Sequence, residues 1–145
     1  MIDLAGVIAT LCAALFCGAA VYINLVEHPA RMGCGTRLAF TQWAPSYKLA
    51  TVMQASLAVL GALAGVAAWA FGGGGGWLLG ALLIGAVVPF TFLAIMPTNH
   101  RLLAPGRDPD APETRQLLEA WGRLHAVRSV LSLLATLLYL ALLVR

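Results

Sequence analysis

The chain has 145 residues, 61% hydrophobic and 10% charged, where soluble domains carry about 25% charged residues. So few charges exclude a fully water-exposed surface and imply an integral membrane protein. The formal net charge of +3 comes with no basic helix or aromatic-basic platform, which argues against a nucleic-acid partner and leaves the lipid bilayer as the first partner.

Four apolar stretches, residues 4–26, 49–71, 77–96 and 127–144, each approach the roughly 20 residues that cross a hydrocarbon core of about 30 Å. The first extends one turn further, to Glu27 and His28, where Pro29 ends it, because proline disfavours helix in the residue before it. It lacks a positive n-region and follows Asp3, so it does not read as a cleaved leader. Residues 30–47 form a first loop containing Gly33, Gly35 and Pro45, with Trp43 and Tyr47 flanking the second span. That span carries Ala58, Gly61, Ala62, Gly65 and Ala68, a small-residue row that lets helix backbones approach closely. Packing inside the chain is the preferred use of this row, and a homo-oligomer is the other.

Gly72–Gly76 is a short link flanked by Trp69, Phe71 and Trp77, which with Tyr139 suit an interfacial aromatic belt. Pro89 predicts a kink in the third span, with Thr91 placed to satisfy a freed carbonyl, and Pro97-Thr98-Asn99 closes that span. Asp110-Ala111-Pro112-Glu113 reads as a helix start, with an Asp cap, Pro in the first turn and Glu at the third position. The last helix then begins near Ala111 and projects from the membrane before entering lipid. The expectation is a single all-α domain over 1–145, a four-helix transmembrane bundle, up-down-up-down, with spans at about 4–28, 49–71, 77–96 and 113–144 and the last helix extended into the cytoplasm.

Eight of the nine basic residues, Arg31, Arg37, Lys48, Arg101, Arg107, Arg115, Arg123 and Arg128, follow the first and third spans. The link between the second and third spans has none. Short Lys- and Arg-rich loops stay in the cytoplasm, which puts both termini outside and loops one and three inside, in a bacterial-type inner membrane. Cys12, Cys17 and Cys34 form no CxxC pair and read as small packing residues.

Asn24, Glu27 and His28 share one helical face by their offsets of three and four. Trp121, His125 and Arg128 share another. Asn99 and His100 end the third span, and Trp43 and Tyr47 stand at the same depth. Polar groups at membrane depth usually face the bundle interior or a wet cavity, so three helices aim them at one cytoplasmic mouth. Each residue singly also suits an interfacial anchor, and Glu27 suits an ion pair with Arg31. His28 and His125, with His100 or Glu27, are the only candidate metal ligands. No HxxxH or ExxH spacing supports them, and no CxxCH attaches haem. No metal is favoured; iron, copper or haem is the alternative, in a non-enzymatic or accessory membrane protein. A transporter is a third reading, without an inverted repeat or a charged midplane path.

Taken together, Asn24-Leu25-Val26-Glu27-His28-Pro29, Trp43 with Tyr47, Pro97-Thr98-Asn99 followed by Leu102, and Trp121-x3-His125-x2-Arg128 resemble the anthrone oxygenase family of small four-span membrane proteins. The resemblance implies an oxidoreductase, a monooxygenase that converts an anthrone methylene to a quinone carbonyl, with O2 as co-substrate and no organic cofactor. It implies a hydrophobic, planar phenolic substrate that enters from the membrane interface. A histidine, with an ordinary pKa near 6.5, suits the proton abstraction. On that reading His125 is the base and His28 the second candidate. Arg128, Asn24 and Asn99 hold the enolate, while Trp121, Trp43 and Tyr47 stack on the substrate.

Overall fold

The computed structural model describes residues 1–145. Four helices, α1 (Ile2–Gly33), α2 (Thr36–Gly73), α3 (Gly75–Leu102) and α4 (Pro112–Leu143), are each long and apolar enough to cross a membrane. α1 packs on α2 and α4, and α3 packs on the same two, so the bundle is square in section and helices adjacent in sequence are adjacent in space. The 32 residues of α4 span about 48 Å at 1.5 Å per residue, so several turns lie beyond a hydrocarbon core of about 30 Å.

Small residues set the helix spacing. Ala5, Ala9, Ala13 and Ala20 line the buried face of α1 around Phe16. A Cβ on Gly61 would lie 3.2 Å from Cys12 Cβ, and one on Gly65 would collide with the Tyr139 hydroxyl. The small-residue row of α2 is thus occupied by α1 and α4 of the same chain. Trp77 and Tyr139, assigned from sequence to an outer belt, are instead buried and stacked at 5.3 Å. Gly65 and Gly80 leave the recess that the Tyr139 ring fills, and Gly6 does the same for Trp77. Trp69 and Phe71 stay on the outer face.

Neither Pro29 nor Pro97 ends a helix. Each stands in the first turn of an α-helical segment that follows a π-turn, Ile23–Glu27 in α1 and Thr91–Ile95 in α3. Proline has no N–H to give to the ladder and its ring crowds the carbonyl four residues back. The widened turn accommodates both, with the His28 N–H reaching Ile23 O and the Met96 N–H reaching Thr91 O.

The expected first loop shrinks to a turn at Cys34 and Gly35, where Gly35 has φ 93°, a value that favours glycine. Residues 36–47 are helical because Ala39 and Trp43, four apart, form a fully buried stripe, and Pro45 sits inside that helix. α3 is interrupted at Ala86, beside Pro89. The Thr91 hydroxyl donates to Val87 O at 2.7 Å, not to the Gly85 carbonyl that Pro89 frees. Ala111 rather than Asp110 caps α4, without a side-chain bond, because the Asp110 carboxylate pairs with Arg37.

Candidate functional site

The centre of the site is Asn24, on the π-turn of α1. Its Nδ2 donates to Gly122 O at 2.9 Å, which fixes the orientation of the amide because a carbonyl only accepts. Asn24 Oδ1 therefore accepts, from the Ser129 hydroxyl at 2.6 Å and from His125 Nδ1 at 2.8 Å. The proton of a neutral His125 is thereby assigned to Nδ1, leaving Nε2 with the free lone pair. Asn24 positions the imidazole through Oδ1, and Nδ2 spends one of its two N–H donors on Gly122.

Three residues on, Arg128 is buried and carries no carboxylate partner. Its guanidinium donates to Gln54 Oε1 at 2.6 Å and lies 5.3 Å from the Phe16 ring centroid, a cation–π distance. A buried cation without a counter-charge is costly, so its surroundings favour an anionic guest. Two cavities meet at this residue. The smaller, about 10 Å³ and so about the size of one water, is bordered by Arg31, Ser46, Gln54, Trp121, His125 and Arg128. The larger, about 140 Å³, lies among Phe16, Tyr47, Gln54, Val87, Met96 and Arg128. Tyr47, Thr51, Gln54 and Arg128 border both and form the wall between them.

The other candidates are distributed unequally. His28 is buried and packs on Trp121, with ring centroids 5.3 Å apart, while His125 packs on the same indole at 4.9 Å. Only His125 borders the cavities described, so the two imidazoles share an aromatic neighbour rather than face each other across a hollow. Trp43 is fully buried, stacked on Tyr47 at 5.2 Å and edge-on to Trp121 at 6.0 Å. It borders neither cavity because its faces are covered, and Tyr47 alone of the three aromatics borders both. Asn99 is fully buried with its amide 3.6 Å from Met96 Sδ, and it too borders neither cavity. His100 is exposed.

Glu27 pairs with Arg31 at 2.5 Å and accepts from Gln42 at 2.9 Å and Ser46 at 2.8 Å. That network ties the C-terminal end of α1 to the N-terminal end of α2. No group of three His, Cys, Asp or Glu side chains converges, so His28 and His125 gain no further ligand of that kind.

Gln54, Ser129 and Gly122 were not identified from sequence. Gln54 had a signal, a lone amide inside an apolar span, and such groups usually turn inward. Ser129 stands four residues after His125 and could have been found by the same spacing. Gly122 carried none.

A model of the anthrone oxygenase family matches residues 43–138. That range includes Trp43, Gln54, His125 and Arg128 and begins after Asn24 and His28. The chain is also similar to anthrone oxygenase tpcL of Aspergillus fumigatus, with 43% identity over 56 residues covering 37% of this chain and 35% of that protein. The match thus spans about a third of that relative's length. No solved structure matches.

Proposed function

The chain belongs to the anthrone oxygenase family, and from that membership we propose that it oxidises the activated methylene of a planar, phenolic, anthrone-type molecule with O2. The observation that carries this reading is the Asn24–His125 hydrogen bond beside the unpaired Arg128. A base with a defined free nitrogen and a cation without an anion stand one helical turn apart on α4.

His125 Nε2 removes a methylene proton, and the electron pair passes into the substrate carbonyl, whose oxygen becomes an enolate facing Arg128. The carbanion carbon bonds to O2, and the proton returns from His125 to give a hydroperoxide. Loss of the second methylene proton with cleavage of the O–O bond leaves the quinone carbonyl and hydroxide, which takes up that proton as water. One oxygen atom of O2 ends in the product and the other in water, with no organic cofactor. His28 supports the Trp121 wall and is the second candidate base.

The test is O2 uptake with an anthrone by purified His125→Ala and His28→Ala. A positioned base contributes about 10²–10⁴-fold, so His125→Ala is expected to lose that much in kcat. Unchanged turnover in both variants would remove the base. A stoichiometric iron, copper or haem signal in the active protein would move the oxygen chemistry to that group.

A further inference from the structure

The larger cavity opens sideways. Thr51 and Ala55 on its α2 rim and Phe92 on its α3 rim are exposed. α2 packs along Gly75–Gly85 of α3 but touches little of α3 beyond Ala86, where Pro89 and the π-turn Thr91–Ile95 redirect that helix. The gap closes again towards the inner end, where the Tyr47 hydroxyl lies 3.5 Å from Met96 Sδ. Its depth follows from the chain. The rim residues Thr51, Ala55 and Phe92 stand two, six and four residues from the inner ends of their apolar stretches, about 3–9 Å along a helix, while Phe16, Ala58 and Val87 at the far end of the cavity stand nine or ten, about 14–15 Å. The opening therefore lies in the inner half of the hydrocarbon layer, and the cavity reaches from there to the middle.

Gln54 faces this opening from the wall between the two cavities. It is 1% exposed, and its Oε1 accepts from Arg128, so its amide is oriented with Nε2 as a donor. Gln54 Nε2 and Arg128 Nε are both buried without a partner, and a buried donor left unsatisfied is costly. Two unused donors thus stand at the inner end of an apolar cavity open to lipid.

We propose that the gap between α2 and α3 admits the substrate sideways from the inner half of the bilayer, and that Gln54 orients it by donating from Nε2 to a substrate oxygen. The guest is a rigid apolar molecule carrying an acceptor oxygen. Its identity as the compound oxidised rests on the function proposed above, whereas its route rests on the cavity alone.

The experiment uses the full chain in lipid nanodiscs and follows saturable quenching of tryptophan fluorescence by anthraquinone and by anthracene, which lacks oxygen. Protein-free discs set the partitioning baseline. Gln54→Leu is expected to weaken anthraquinone about tenfold and leave anthracene within about twofold. Ala55→Phe, filling the gap from an exposed position, is expected to weaken both about tenfold, and Leu93→Phe, on the exposed face of α3, to change neither. Equal losses for both ligands in Gln54→Leu would show a structural role and overturn the orienting one. Unchanged binding in Ala55→Phe, or no saturable anthraquinone binding to the unsubstituted protein, would overturn the route. These failures alongside intact anthrone turnover would leave the His125 chemistry standing, and intact binding without O2 uptake would do the reverse.

Discussion

A methyl group on Gly122 would lie 2.6 Å from His28 Nε2, and the Gly122 carbonyl is also the group that orients Asn24. Gly122→Ala therefore bears on both halves of the site through one residue. We expect a loss of roughly 1–3 kcal/mol, typical of overpacking, read as a lower thermal midpoint in detergent, together with reduced turnover. Asn24→Ala separates the two effects. It removes the acceptor that holds the His125 proton on Nδ1, so kcat should fall while KM changes little; a fall in stability with kcat intact would make Asn24 merely structural. At this scale the sequence was legible where polar residues recur at helical spacing, as in His125 and Arg128. It was not legible where the partner is one backbone carbonyl or an isolated amide, as with Gly122 and Gln54.

Helix contacts across the bundle are governed by where glycine leaves room. Gly65 and Gly80 face the Tyr139 ring, whose hydroxyl also donates to Gly61 O at 3.3 Å. Gly65→Ala should push α4 away from α2 and lower the thermal midpoint, whereas a methyl at Gly18, which has open space around it, should leave it within error. A Gly65→Ala protein as stable as its parent would remove Tyr139 as the wedge that sets this spacing. Four apolar runs were enough to count the helices, because length against bilayer thickness is a strong constraint. Their ends were misjudged at Pro29 and Pro97, since each proline was taken as a stop, whereas a π-turn just before it lets the helix continue. Residues 36–47 were misjudged because two glycines and Pro45 outweighed the Ala39/Trp43 stripe.

The turn between α1 and α2 and the segment between α3 and α4 meet at one end of the molecule, where Arg37 pairs with Asp110 and Arg101 pairs with Glu113 at 2.8 Å. Most of the basic residues gather there, and we propose on that ground that this end is cytoplasmic. Cys34, exposed in the first turn while Cys12 and Cys17 are buried, makes the orientation measurable. A membrane-impermeant maleimide should label the protein in inside-out vesicles and not in intact spheroplasts. Labelling of intact spheroplasts would invert the orientation and place the site on the opposite face.

The π-turn that carries Asn24 holds one residue more than an α-helical turn would need. Deleting Leu25 would let this turn close into regular α-helix without rotating the segments on either side, which the widened turn already keeps in register, and would set the Pro29 ring against the carbonyl of Asn24. Such a chain keeps every hydrophobic segment that guides insertion, yet its Asn24 is re-aimed away from Ser129 as the turn closes. Biogenesis and chemistry in this protein are thus separable by a single codon, and a well-expressed but inert homologue one residue shorter in α1 is the footprint that separation would leave.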